Sequence, residues 1–177
     1  MKYLLRKFTR ILIIVAIYAI FILVSLRQPA KSQVIDSSFY SWTVYENQND
    51  EREEKECYIV AHPIESNSDH NSRQKPYIMI THFQRDRVEE VSVFGGFEFK
   101  LNSEVFTMVD DEQFKFLAKK EIAWLRTKSE DAALIKALLR SAVVKTRADS
   151  AVGTYAVDEY SLKGITRAYL RMKNICK

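Results

Sequence analysis

Short apolar stretches with period-two alternation recur along most of the chain. In Phe39–Glu46, FYSWTVYE, Trp42 and Val44 fall on one face and Thr43 and Tyr45 on the other. Aromatic and β-branched residues at this period indicate a half-buried strand. The same reasoning predicts strands at Phe39–Glu46, Cys57–Ile64, Pro76–Phe83, Arg87–Phe94, Phe97–Leu101, Glu104–Asp110, Gln113–Leu117, Ile122–Leu125, Val143–Arg147 and Thr154–Tyr160. Many short strands at a spacing of about 8–12 residues favour an antiparallel β-sandwich.

Polar segments separate these strands. Gln28–Ser38 is expected to be a tether, Asn47–Glu56 a solvated charged loop, and Glu65–Gln74 a loop tip, because each is poor in apolar residues.

Two stretches change from period two to helical spacing. Ser129 is expected to cap a helix over residues 129–142, with Leu134 and Leu138 on its buried stripe. Ser161 is expected to cap a second helix over residues 161–175. Its buried stripe has spacings of three and four and consists of Leu162, Ile165, Tyr169, Met172 and Cys176. The predicted fold is therefore mainly β, with two packed helices.

Ile11–Leu26 is a run of sixteen residues without charge, Gly or Pro. It would span about 24 Å as a helix, slightly less than the hydrocarbon core of a bilayer, and flanking arginines can extend it by snorkelling. The basic residues before it predict a cytoplasmic N-terminus and an exported remainder. We expect a cytoplasmic segment at 1–10, a transmembrane signal anchor at 11–26, a linker at 27–38 and an exported domain at 39–177.

Two alternatives to the anchor stay open. The first is a cleaved signal peptide, although Leu23-Val24-Ser25 and Gln28-Pro29-Ala30 are both poor small-x-small cleavage sites. The second is a buried helix of a soluble domain. The expected location is thus a membrane with the domain on the exported side, or else the exported side without the anchor after cleavage.

The net charge of +4 comes entirely from the N-terminal region. Residues 1–31 hold six basic side chains and no acid, so residues 32–177 carry a net charge of −2. The basic character therefore belongs to the membrane segment, and we expect no nucleic-acid partner.

Cys57 and Cys176 are the two cysteines of the chain. In an exported protein an even cysteine count favours a disulfide, here between an early strand and the last helix. The alternative is a pair of separate buried thiols.

No catalytic or metal signature accompanies this pattern. The histidines at positions 62, 70 and 82 lack the spacing of a zinc site, and the sequence has no nucleophile elbow, phosphate loop or dinucleotide fingerprint. We therefore expect no catalytic residues, no metal and no cofactor. Trp42 and Trp124 could form a platform for a sugar, but buried core positions are the commoner role for tryptophan.

Lys163, Arg167 and Arg171 follow one another at spacing four on one face of the last predicted helix. Such a row is typical of a solvated face. A contact with anionic lipid or surface polysaccharide is the alternative interpretation.

Several segments together resemble the invasion-associated locus B family of α-proteobacterial envelope proteins. They are the start at Trp42, the strand of Cys57, the stretch 91–101 (VSVFGGFEFKL) with Val105–Asp110 (VFTMVD), and 161–168 (SLKGITRA). The resemblance extends over roughly residues 39–175.

The resemblance implies an exported, immunoglobulin-like β-sandwich without known catalytic residues, associated in some members with entry into host cells. This chain departs from the family near Tyr45 and in Phe116–Ala123, where members commonly have cysteines, so the family's disulfide pattern cannot be transferred. With this resemblance, we expect the anchor in the bacterial inner membrane and the domain in the periplasm, or the domain in the periplasm or the medium after cleavage. The expected function is that of a membrane-anchored, non-catalytic binding or structural module with an envelope or host-surface partner. A released host-interaction factor and an envelope hydrolase are the alternatives.

Overall fold

A computed structural model describes residues 33–49 and 54–177. These residues form eleven strands: β1 (Gln33–Phe39), β2 (Trp42–Asn49), β3 (Glu54–Ala61), β4 (Glu65–Ser68), β5 (Tyr77–Phe83), β6 (Val88–Phe94), β7 (Glu104–Val109), β8 (Glu112–Lys119), β9 (Ile122–Trp124), β10 (Val143–Asp149) and β11 (Tyr155–Ser161). Two helices accompany them, α1 (Lys128–Arg140) and α2 (Ile165–Ile175).

The strands form one antiparallel hydrogen-bonded sheet in the order β1-β2-β3-β5-β6-β9-β8-β7-β10-β11-β4. β2 and β11 lie near opposite ends of this order, yet the indole Nε1 of Trp42 on β2 donates to the carbonyl oxygen of Ser161 on β11 at 3.1 Å. The sheet therefore curls so that its two ends approach each other. The prediction of a mainly antiparallel β fold with two helices is confirmed, and the arrangement is consistent with a sandwich.

One hydrophobic core lies inside the curled sheet. It contains the inward residues of the strands, among them Trp42, Ile59 and Ile80, together with Leu138 of α1 and Met172 of α2. The alternation that predicted β2 is confirmed, because Trp42 and Val44 are fully buried.

The N-terminal caps of both helices differ from the prediction. Thr127, rather than Ser129, caps α1: its side chain accepts from the backbone N–H of Glu130, and the Glu130 carboxylate accepts from the backbone N–H of Thr127. α2 begins at Ile165, and Ser161 is instead the last residue of β11. Gly164 caps α2 with φ +96°, where a Cβ would clash with the carbonyl oxygen of Phe39.

Two strands appear where a tether and a loop were expected. Gln33–Phe39 forms β1 on β2, and Glu65–Ser68 forms β4 on β11. Both are edge strands with largely exposed side chains. Backbone hydrogen bonds to one neighbouring strand hold each of them in place. Such bonds do not require apolar residues at alternate positions, so the sequence pattern did not predict these two strands.

The predicted strand Phe97–Leu101 is absent. Phe97 and Phe99 are both buried, but only Phe99 makes an isolated bridge, with Ser150. The backbone N–H groups of Phe99 and Lys100 donate to the carbonyl oxygens of Lys120 and Asp149, so this segment crosses between loops.

The expected charged loop at 47–56 is shorter than predicted, because β2 continues to Asn49 and β3 begins at Glu54. The predicted anchor at 11–26 lies outside the described residues. No helix within 33–49 and 54–177 has the length and apolarity needed to cross a membrane.

Candidate functional site

The predicted disulfide is confirmed. Cys57 on β3 is bonded to Cys176 at the end of α2. Their Cα atoms are 5.9 Å apart, and their sequence separation is 119. Both cysteines are buried, so the bond fastens the inner face of β3 to the last helix.

A charged cluster lies beside the disulfide. His82, the cross-strand partner of Cys57, is 4% exposed, and its Nδ1 lies 3.1 Å from Oε1 of Glu89. The ammonium group of Lys173 donates to the same carboxylate oxygen, and this bond raises the pKa of Lys173. The Glu89 carboxylate on β6 therefore joins His82 of β5 to Lys173 of α2.

The basic side chains predicted as a contact face lie against β1: Lys163, Arg167 and Arg171. Lys163 Nζ is 4.3 Å from the ring centroid of Tyr40, and Arg167 Cζ is 4.9 Å from that of Phe39. Arg171 donates to both carboxylate oxygens of Asp36, at 2.8 and 2.6 Å. These bonds lower the pKa of Asp36 to about 2. A lipid or polysaccharide contact through this face stays a prediction, and it would compete with these internal contacts.

An aromatic trough, which the sequence interpretation missed, lies on the outer face of β2, β3, β5 and β6. It is an open cavity of about 510 Å³, lined by Tyr45, Glu56, Tyr58, Val60, His62, Tyr77, Met79, Thr81, Phe83 and Glu90. These side chains share a face because residues two apart on a strand point the same way. The helices pack against the core on the other side of the sheet.

Cross-strand register arranges the trough in parallel rows. One row runs Tyr45, Tyr58, Thr81 and Glu90 from β2 to β6. The rings of Tyr45 and Tyr58 are stacked, with centroids 5.1 Å apart and planes at 12°. Burial raises the pKa of Tyr58 to about 12.

The next two rows form the floor and the opposite side of the trough. Val60, Met79 and Ser92 are cross-strand neighbours in the floor row, which continues to Trp124 on β9. On the far side, the rings of Tyr77 and Phe94 stack with centroids 4.9 Å apart. The aromatic rows are four residues apart along the strands, or about 13 Å.

Glu90 and Ser92 are the polar groups of β6 on this face. Burial and the nearby Asp131 carboxylate raise the pKa of Glu90. Ser92 is 2% exposed, and its Oγ has no hydrogen-bond partner within the described residues. Buried hydroxyl groups are usually paired, and Ser92 is not among the residues that line the trough.

The two tryptophans differ in position. Trp42 is fully buried in the core, whereas Trp124 is half-buried on the outer face next to Ser92. The two indoles therefore do not form a common sugar platform. One signal for the trough was present in the sequence, because Tyr45, Tyr58 and Tyr77 occupy outward-facing positions on three predicted strands. Composition alone does not reveal this.

A buried ion pair supports one end of the sheet. Arg73 and Asp158 form two hydrogen bonds of 2.8 and 2.5 Å, with side-chain exposures of 8% and 4%. Ser66 Oγ donates to the same Asp158 carboxylate, and Arg73 Nε donates to the carbonyl oxygen of Gly95. The pair joins the loop before β5 to β4, β11 and the loop after β6. Its satisfied hydrogen bonds indicate a structural role.

Comparison with known proteins gives one structural likeness for this fold. Invasion associated protein B from Bartonella henselae, in its crystal structure, is similar to this chain with a TM-score of 0.52 and 14% sequence identity. The similarity covers 78% of this chain and 96% of that protein. No protein family model matches the chain, and no curated protein matches it. The likeness shows a shared fold.

Proposed function

We propose that this chain is a non-catalytic binding or structural module of the bacterial cell envelope, of the invasion-associated locus B type. In this proposal residues 11–26 anchor it in the inner membrane, and the domain lies in the periplasm as an immunoglobulin-like sandwich. The observation that carries the proposal is the fold shared with invasion associated protein B over 96% of that protein.

Two further features support an exported binding module. A disulfide between Cys57 and Cys176 suits an oxidising compartment, where such bonds persist. The trough on the outer face offers a concave surface with aromatic and polar groups, which is the usual composition of a binding site.

A released factor that contacts host cells is the second candidate. It is favoured by the name of the structural neighbour, an invasion associated protein, and it requires removal of the N-terminal apolar run. The two candidates predict different mature N-termini.

The test is the intact mass of the chain recovered from the membrane fraction of cells treated with a membrane-permeant alkylating agent. The anchored module predicts an intact Met1 and alkylation of both cysteines only after reduction. A chain that begins near residue 26 or 31, found in periplasm or medium, would favour the released factor. Two alkylated cysteines without reduction would place the domain in a reducing space and overturn both.

A further inference from the structure

We propose that the aromatic trough binds an extended segment of a partner protein that carries lysine or arginine, with one cationic side chain lying over Thr81 between Tyr58 and Glu90. This inference rests on the proposed binding function and specifies the class of its partner.

The charge of the trough selects the sign of the ligand. Among the described residues that line it, Glu56 and Glu90 are the formally charged ones, and both are carboxylates. A cationic ligand is attracted by this field, whereas phosphate groups, anionic lipids and acidic polysaccharides are repelled. Charge complementarity therefore favours a basic partner.

The row across the sheet forms a notch for a cation. Tyr58, Thr81 and Glu90 lie opposite one another on β3, β5 and β6, so Tyr58 and Glu90 are about 10 Å apart across the small Thr81. One face of the Tyr58 ring is stacked on Tyr45. In this row a cation over Thr81 would lie between the Tyr58 side chain and the Glu90 carboxylate.

The charged groups in the lining are hydrogen-bond acceptors. The carboxylates of Glu56 and Glu90 accept hydrogen bonds, so they favour a ligand that supplies donors. Guanidinium and ammonium groups are donors without acceptors, and guanidinium has five N–H groups in a planar fork. Arginine is thus the better of the two basic residues for this site.

The same stacking disfavours a neutral sugar as the ligand. Sugar rings bind on flat, exposed aromatic faces, but Tyr45 and Tyr58 cover each other, as do Tyr77 and Phe94. An extended peptide can instead lie along the floor of Val60 and Met79 between the two aromatic rows, as peptides do in other aromatic-lined grooves.

The positions of the two carboxylates suggest the spacing of basic residues in the partner. Glu56 pairs with Phe83, two residues beyond Thr81, so Glu56 and Glu90 are about 12 Å apart across two strand spacings. An extended peptide advances about 3.1 Å per residue, and two cations four residues apart would reach both.

The experiment measures binding to the full chain in uncharged detergent at low salt by fluorescence polarisation. The probes are labelled proline-rich octapeptides with two arginines four residues apart, and the same peptide with glutamine or glutamate in place of arginine. A neutral β-1,4-linked glucan hexasaccharide is the fourth probe. We expect the arginine peptide to bind at least about tenfold tighter than the glutamine peptide, and the glutamate peptide not to bind.

Matched variants locate the binding. Glu56→Gln with Glu90→Gln should weaken the arginine peptide about tenfold, and Tyr58→Leu should weaken it by a similar factor. Glu65→Gln and Tyr155→Leu, both at exposed positions on the other half of the sheet, should change nothing. Far-UV circular dichroism and a cooperative urea-unfolding transition of each purified variant show that the fold is intact.

Equal affinity for the arginine and glutamine peptides, or binding of the glucan alone, would overturn the inference. So would loss of binding in Glu65→Gln equal to that in the double variant. Binding of the arginine peptide is independent of the alkylation result in cells, so a failure of the envelope location and a failure of the trough are distinguishable.

Discussion

At the scale of single residues, the domain contains ion pairs in very different surroundings. Arg73 and Asp158 are almost fully buried and doubly hydrogen-bonded, whereas Arg140 and Glu112 are about half exposed. Burial removes the solvation of both charges, so each buried partner depends on the other. A surface pair loses little solvation and gains little from pairing.

Replacing Asp158 by alanine should therefore destabilise the domain by about 3–5 kcal/mol, because it leaves the Arg73 guanidinium buried without its counterion. Glu112→Ala at the exposed pair should cost only about 0–1 kcal/mol. Urea unfolding of both variants measures the difference. Equal losses would show that the Arg73–Asp158 pair is not the buried support described above.

Asp36 should contribute a pH-dependent part of the stability. Its bonds to Arg171 and Ser37 lower its pKa from 3.8 to about 2, so the contribution is present above about pH 4 and is lost as the pH falls towards 2. Arg171 is 41% exposed, so solvent screening limits the effect to about 0.5–1 kcal/mol.

The measurement compares the pH dependence of urea unfolding for the wild type and Asp36→Asn. The difference in unfolding free energy between the two should be largest near neutral pH and should shrink below pH 4. A constant difference down to pH 2 would contradict the role assigned to the Asp36 carboxylate.

At the scale of elements, the helix caps provide a direct comparison of sequence and structure. Both Thr127 and Ser129 are plausible caps by residue type, but only Thr127 accepts from the N–H of Glu130 and has extended backbone angles. Because Glu130 returns the bond to Thr127, the two side chains form a capping box that the choice of Ser129 overlooked.

Thr127→Ala should destabilise the domain by about 1 kcal/mol, because it removes the hydroxyl that accepts from the N–H of Glu130. Ser129→Ala, two residues later in the chain, should cost a few tenths of a kcal/mol at most. Thermal unfolding followed by circular dichroism checks both. A larger loss for Ser129→Ala would restore the cap expected from the sequence.

A strand could be predicted from the sequence where its buried and exposed positions alternate. β2 and β10 bury alternate residues, so their periodicity was visible in the sequence. The edge strands β1 and β4 bury little, and they were not predicted. Phe97 and Phe99 show the converse error, because they alternate and are buried without forming a strand. Periodicity reports burial, and pairing of the backbone is a separate property.

At the scale of the whole molecule, the pairing of Cys57 with Cys176 could be predicted and the trough could not. Two cysteines in one chain leave a single possible intramolecular pairing. The trough depends on which strands are neighbours and in what register, as in the row from Tyr45 to Glu90. Strand parity alone does not contain that information.

The disulfide should be a major contributor to global stability. Closing a loop of this length lowers the entropy of the unfolded chain by an amount equivalent to about 4–5 kcal/mol in the chain-entropy model. The double variant Cys57→Ser with Cys176→Ser should lose up to about this amount in urea unfolding. A reductant should lower the unfolding midpoint of the wild type and leave that of the double variant unchanged.

The long separation between the two cysteines also has a consequence for biosynthesis. At about 5–20 residues per second, the ribosome needs roughly 6–24 s after making Cys57 to reach Cys176, which lies 119 residues later. During that interval the thiol of Cys57 has no second cysteine in the nascent chain with which to form a disulfide. Any bond it makes with another thiol must be exchanged before α2 can be fastened to β3, so maturation of this domain depends on the supply of disulfide-exchange activity.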